Sequence, residues 1–267
     1  VISNTYCMVY IFLLMIGMNL YTTDERENKA LLILLSMVIC WLTLSRAEMS
    51  VCMACIVCLI SFLPLTQREM LTLSVPMMVV QLLYLIELNY QQAISVKNVY
   101  DSMLTLAIQA IITVATVGCV IYSFFINSKF FSWIRKKINI IVFAVLPGIC
   151  IAIYFLDKEK YVKSIESIIY NFKTQYWGYL PALILILYIM IVLNKRINFW
   201  LIFSTGYVLI NLILCLGRKH PLRNGYGDSC NRIMMSAIPV VFFALICSVL
   251  EIVALRIKEN REQEEYK

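Results

Sequence analysis

The sequence predicts an all-α fold, a polytopic transmembrane helix bundle of about nine spans with one interfacial amphipathic helix. Three observations carry that expectation. Of the 267 residues 61% are hydrophobic and only 15% charged, with a mean hydropathy of +0.82, whereas soluble domains carry about 25% charged residues. The apolar residues fall in runs close to the roughly 20 residues that cross a bilayer, separated by short charged connections. With 8 Gly and 6 Pro the chain is neither collagen-like nor a flexible linker array, and its apolar excess excludes intrinsic disorder. The net charge of +7 would point to nucleic acid in a soluble protein; here it reads as basic loop ends facing anionic lipid, so the expected partner is a bilayer and not nucleic acid.

Residues 1–267 read as a single transmembrane domain with candidate helices at 2–21, 30–45, 50–65, 70–88, 103–126, 138–156, 179–194, 197–217 and 232–255. Ahead of the first there is no basic n-region, which argues against a signal peptide. Because the chain opens on Val1, it is expected to be the C-terminal part of a longer protein. The second, third and seventh runs are short. At about 16 residues a helix rises about 24 Å against a hydrocarbon core of roughly 30 Å, so it needs thinned lipid or shelter within the bundle. The pair flanking Ser45 and Ser50 is expected in the interior. Pro76 in the fourth run and Pro147-Gly148 in the sixth look able to break a helix. Gln81, Gln109 and Asn211 read as mid-span polar residues that hydrogen-bond between helices.

Two connections look interfacial. In 157–178 the residues Val162, Ile165, Ile168, Ile169, Phe172 and Tyr176 recur at helical spacing, with Lys158, Lys160, Lys163, Glu166 and Lys173 between them. That pattern predicts an extracytoplasmic helix lying on the membrane surface, anchored by Tyr176, Trp177 and Tyr179. Phe130, Phe131 and Trp133 beside Arg135, Lys136 and Lys137 form a second aromatic and basic belt. Orientation follows from placing Lys and Arg on alternate sides: thirteen fall at 26–29, 68, 129–137, 195–196 and 256–267, and ten on the other side. The thirteen are expected in the cytoplasm, with 256–267 as a cytoplasmic tail. The longer connections at 89–102, 157–178 and 218–231 then face outward, where function is expected.

Nine of the ten cysteines fall in apolar runs, where a thiol acts as a small hydrophobe, and only Cys230 lies in a connection. No disulfide framework is expected. Cys52, Cys55 and Cys58 have the C-x-x-C-x-x-C spacing of iron–sulfur ligation, yet they lie in an apolar helix with no fourth ligand at useful spacing. They read as structural, and no metal site is expected. No acidic residue occupies the predicted centre of a span, no G-x-x-x-G pair occurs, and no repeat of halves is visible, all of which count against a pump or secondary transporter.

The stretch 218–232, RKHPLRNGYGDSCNR, carries the most chemistry. Asp228 or Ser229 suits the N-cap of the last helix and places Arg232 in its first turns. A helix start with free N–H groups and an adjacent guanidinium suits a phosphate or pyrophosphate. Arg218, Lys219 and Arg223 add charge nearby. The alternative is a snorkelling cluster at the headgroups. His220, before Pro221, reads as an extended residue more than as a general base. In the reversal LSRAEMS at 44–50, Arg46 and Glu48 either mark a loop or meet an anionic headgroup and a polar group.

These two segments together resemble polytopic glycosyltransferases of the GT-C type. The Leu44-Ser45-Arg46-Ala47-Glu48 reversal after a short turn and an apolar helix is similar to the middle of such enzymes. Gly227-Asp228-Ser229-Cys230-Asn231-Arg232, followed by apolar residues and Pro239, is similar to the segment that opens their last helices. The resemblance covers about 40 residues. It implies an integral membrane glycosyltransferase that moves a sugar from a polyprenyl-phosphate donor to a glycan, lipid or protein acceptor at the extracytoplasmic face, in cell-envelope polysaccharide biosynthesis. Arg46 and Arg232 would hold the donor phosphate, with Glu48 and Asp228 orienting them or the acceptor and Asn231 completing the substrate-binding set. The family's catalytic carboxylate, in its first outer loop, has no counterpart here, since Asp24-Glu25 assign to the cytoplasmic side; it is expected upstream. A polysaccharide polymerase or ligase and a lipid-linked glycan flippase or transporter are the alternatives. Abundant Lys and Ile fit a bacterial plasma membrane.

Overall fold

Each apolar run expected to cross the bilayer overlaps a helix, although the helix in the 50–65 run ends at Ile60. The computed structural model describes residues 2–23, 28–45, 47–94, 102–173, 179–193, 198–217 and 234–265, and no strand occurs among them. The helices are α1 (Ile2–Thr23), α2 (Lys29–Ser45), α3 (Ala47–Ile60), α4 (Gln67–Ile94), α5 (Ser102–Phe124), α6 (Lys129–Lys136), α7 (Ile138–Leu156), α8 (Lys158–Lys173), α9 (Leu180–Leu193), α10 (Phe199–Gly217) and α11 (Ala237–Glu265). Among the described residues five stretches are long and apolar enough to cross a membrane: Tyr6–Thr23, Gln67–Glu87, Ile138–Leu156, Phe199–Leu216 and Ala237–Leu255. Shorter helices expose apolar faces as well. On α2 the exposed residues include Ile33, Leu34, Met37, Trp41 and Leu44, and on α9 Leu185, Ile186, Tyr188 and Ile189. Soluble monomers rarely expose patches of this extent. The chain is a multi-pass membrane protein.

Local chemistry sets several helix starts. Asn28 Oδ1 accepts the Leu31 N–H at 3.0 Å, Ser128 Oγ the Phe131 N–H at 3.3 Å, and Asn198 Oδ1 the Leu201 N–H at 2.9 Å. Each side chain satisfies a backbone donor that the first turn leaves free. At α4, Thr66 and Glu69 cap reciprocally: Glu69 Oε2 accepts the Thr66 N–H and Thr66 Oγ1 accepts the Glu69 N–H.

Neither proline breaks its helix. Pro76 lies inside α4. Pro147 has no N–H to give the carbonyl four residues back, and the preceding Ile141–Val145 widens into a π-helical turn from which the α-helix resumes at Leu146. The break comes instead at Asp157, whose φ of −151° and ψ of 82° end α7. Its carbonyl accepts the Tyr161 N–H at 3.0 Å and starts α8. Two helices outrun their expected spans. α4 continues to Ile94, and α11 through Glu265, so that most of the expected tail at 256–267 is helix. Lys, Glu, Arg and Gln are good helix formers, and Lys258 and Glu262 stand at the supportive i, i+4 spacing.

The helices pack as two compact units, Val1–Ile138 and Asn139–Lys267. In the first, named contacts fix an alternating course for α1 to α5. α1 and α2 are antiparallel, with Cys7 Sγ 3.4 Å from Ser45 Oγ, the Tyr10 and Trp41 rings 4.3 Å apart, and Gly17 against Leu35. α4 and α5 are antiparallel through Ser74–Ser123 and Gln81–Thr116. α3 runs parallel to α5, its Ala54 carbonyl and Cys58 meeting Cys119 and its Ser61 carbonyl meeting Tyr122. α3 has 14 residues and rises about 21 Å, less than the core thickness. It is an interior helix as expected, with Cys52, Met53, Ala54, Ile56, Val57, Leu59 and Ile60 all buried. α2 is interior on one face only. On α6 the exposed rings of Phe130 and Trp133 form the expected aromatic belt, while Phe131 turns inward against Tyr122, ring centroids 4.6 Å apart.

In the second unit α10 is the buried centre, packed against α7, α8 and α11. α10 and α11 are antiparallel: Asn198 meets Ser248 and Glu251, Trp200 meets Phe243, and Tyr207 meets Ser236. α8 is the helix expected at the membrane surface, but its protein-facing edge is not the apolar stripe. Ser164, Ser167 and Ile168 are buried, whereas Val162 and Ile169 stay exposed next to the charged face. The small serines allow close approach to the bundle and leave Val162 and Ile169 exposed. α9, also of 14 residues, is mostly exposed, so shelter within the bundle does not account for its shortness.

Candidate functional site

Arg218, Lys219, Arg223, Asp228, Asn231 and Arg232 fall in 218–233 and lie outside the described residues, as do Arg46, His220 and Cys230. Glu48 stands on the first turn of α3, where the backbone alone is described. What the structure provides is the frame on either side of these segments. The α2–α3 connection leaves from Ser45 at the Cys7 end of its unit. The opposite end is marked by Tyr21, Glu69 and Gln67. The segment 218–233 leaves from the C-terminus of α10, the end away from Asn198 and Glu251.

Among the described residues, polar groups gather in three places. At one end of the first unit, Glu69 Oε1 accepts the Tyr21 hydroxyl at 2.8 Å, while Gln67 Nε2 donates to the Phe124 carbonyl at 2.9 Å. Arg68, Lys29 and Lys129 belong to the same end by sequence, so the tertiary contacts join connections that the charge count had already grouped together. The second place is a ladder inside the α4–α5 contact. Gln67, Ser74 and Ser123 and then Gln81 and Thr116 follow a seven-residue step on antiparallel helices. Ser74 and Ser123 hydroxyls are 3.0 Å apart, and the Thr116 hydroxyl donates to Gln81 Oε1 at 2.5 Å. Gln81 is thus the interhelical residue the sequence predicts. Its Nε2 has no partner among the described residues. Asn211 is fully buried in α10, and the Gln109 side chain lies outside the described residues.

The third place is Asn198, which caps α10 and donates from Nδ2 to Ser248 Oγ at 3.1 Å and Glu251 Oε2 at 2.7 Å. One amide therefore fixes the start of α10 and its register on α11. On the outer face of α8, Lys163 pairs with Glu159 at 2.6 Å. The hydrogen bond that Lys163 donates to Glu159, aided by the carboxylate's charge, raises the Lys163 pKa above its ordinary value. Lys158 stands 5.9 Å over the Tyr154 ring. These contacts lie on an exposed face of α8.

The C-x-x-C-x-x-C run does not gather its three thiols. Cys52 is buried, Cys55 half-buried and Cys58 exposed, and the partner of Cys58 is Cys119 on α5. Among the described residues no group of three or more His, Cys, Asp or Glu is arranged to hold a metal ion. Sequence reasoning missed Glu69, Asn198 and Cys119. The first two were legible, as the T-x-x-E box at 66–69 and as an Asn directly before an apolar run. Cys119 carries no local signal. Comparison of the chain with family models, with curated proteins and with solved structures gives no match.

Proposed function

We propose that the protein is an integral membrane glycosyltransferase of the GT-C type, moving a sugar from a polyprenyl-phosphate donor to an acceptor at the extracytoplasmic face of a bacterial membrane, with about nine spans. The observation that carries this reading is the position of the two resembling segments in the helix order. In the first unit the α2–α3 turn is at the end opposite Gln67 and Glu69, the end of Arg68. In the second, 218–233 is at the end of α10 opposite Asn198, next to Lys195 and Arg196. With the basic ends in the cytoplasm, each segment faces outward in its own unit. That is where the headgroup of a lipid-linked donor arrives by lateral diffusion.

The chemistry asks for fixed cations. An acceptor hydroxyl displaces phosphate from the sugar carbon, and the departing phosphate gains negative charge as the bond breaks. Arg232 at the opening of the last helix, with Arg218, Lys219 and Arg223 in the same connection, stabilises that charge more in the transition state than in the donor. Asp228 and Asn231 orient the guanidinium groups. Arg46 and Glu48 serve the outer surface of the first unit. The test is transfer from a labelled polyprenyl-phosphate sugar in membranes. Arg232→Ala should lower transfer at least 100-fold with expression retained, and Lys129→Ala, among the residues expected in the cytoplasm, should leave it unchanged. Movement of the lipid-linked glycan across the bilayer without bond cleavage, or transfer from a diphosphate-linked glycan alone, would replace this reading with the flippase or the polymerase.

A further inference from the structure

The contact between Cys58 and Cys119 is used neither by the proposed transfer nor by any capping or ladder role. The two Sγ atoms are 3.0 Å apart on helices 61 residues distant in sequence. A disulfide needs about 2.05 Å between sulfurs, so the pair has about 1 Å to close. Its surroundings hold the helices in register on both sides. Cys119 Sγ donates to the Ala54 carbonyl one turn back on α3, and the Tyr122 hydroxyl donates to the Ser61 carbonyl one turn on, each at 3.5 Å. The two thiols also differ in access: Cys58 is exposed on an apolar helix and Cys119 is buried.

We propose that Cys58 and Cys119 form an oxidisable dithiol, a modification site at which a lipid-soluble hydroperoxide welds α3 to α5. The exposed Cys58 sulfur meets the oxidant first. It attacks the peroxide, whose O–O bond breaks; the sulfur takes one oxygen as sulfenic acid and the other oxygen leaves as an alcohol. The Cys119 thiol then attacks the Cys58 sulfur, the S–O bond breaks, and water departs as the S–S bond forms. Two thiols and one hydroperoxide give one disulfide, one alcohol and one water, with two electrons passing from sulfur to oxygen. Cys58 is exposed on an apolar helix, which is why an apolar peroxide suits the site. The site is independent of the transferase reading.

Membranes holding the full chain are treated with cumene hydroperoxide, denatured, alkylated with a mass-tagged maleimide and mapped by peptide mass. The expected result is a Cys58–Cys119 cross-linked peptide, loss of both residues from alkylation, and recovery of both after dithiothreitol. Cys58→Ser and Cys119→Ser should each abolish that peptide, and Cys55→Ser should keep it. Full alkylation of both residues after oxidation would overturn the proposal. So would a link from Cys58 to Cys52 or Cys55, or between two chains, or sulfinic acid without a link.

Discussion

Gly17 sits where α1 crosses α2, and the crossing has no room for a methyl group. A Cβ built there lies 2.5 Å from Leu35 Cδ2, 3.5 Å from its Cγ and 3.8 Å from its Cδ1, whereas carbon atoms rest about 3.5–4.0 Å apart. Leu35 is 3% exposed and belongs to the packed face of α2. Relief of about 1 Å therefore needs a poorer rotamer or a wider helix separation, and overpacking of this kind costs about 1–3 kcal/mol. Alanine offsets part of that through helix propensity, about 1 kcal/mol. Gly17→Ala should thus lose about 0–2 kcal/mol. Gly118→Ala and Gly148→Ala, with nothing within 4 Å of the added carbon, should be level or more stable. Leu35→Ala alone should cost about 2–5 kcal/mol through its cavity. The double variant Gly17→Ala/Leu35→Ala should fall short of the sum by at least about 1 kcal/mol, because the new methyl occupies space that Leu35 vacates. Reversible unfolding in detergent, followed by tryptophan fluorescence with Trp41 on α2 as a nearby reporter, measures each value. Equal stability of Gly17→Ala and Gly118→Ala, or additivity in the double variant, refutes the close crossing.

Three further outcomes can be checked in the same assay or a simple variant of it. Thr116→Val should cost about 1 kcal/mol by stranding Gln81 Oε1, while Gln81→Met with Thr116→Val should return close to the parent, since both partners become apolar; a double variant no better than the single one contradicts the ladder. Asn198→Ala removes the α10 cap and both bonds to α11 and should cost at least about 1 kcal/mol, and Asn198→Asp, which keeps a capping oxygen but loses both donations and sets a second carboxylate against Glu251, should be destabilised as well, measured by hydrogen exchange at the first turn of α10. A peptide of residues 157–173 should become helical on anionic vesicles and lose that binding in high salt, read by circular dichroism; helicity equal in buffer and on vesicles would remove α8 from the membrane surface.

The legible parts of the fold were those set within a few residues of each other. Apolar run length marked the helices, Asn28, Thr66, Ser128 and Asn198 are capping types at the starts they occupy, and Lys163 pairs with Glu159 within one helix. The expected cationic site was legible only as a pattern of charges, and its residues lie outside the described part of the chain. Pro147 shows how a local rule can mislead: the missing N–H is absorbed by a π-helical turn, and Asp157 ends the helix instead. Glu69 shows the reverse, since its capping role was written in four residues while its hydrogen bond to Tyr21 depends on a helix 48 residues away.

From the amino-acid order alone came the class of the protein, its helices, and the grouping of Lys29, Arg68 and Lys129 at one end of the first unit, because length, apolarity and charge act on each segment separately. Tertiary structure decided which apolar faces meet protein and which meet lipid. Two helices of 14 residues make the point, α3 buried and α9 exposed. In a bilayer both environments are apolar, so hydrophobic periodicity loses the power to tell inside from outside that it has in water. Small residues, interhelical hydroxyls and amides, and thiols such as Cys58 and Cys119 then set the arrangement, and their partners are chosen only when the helices come together.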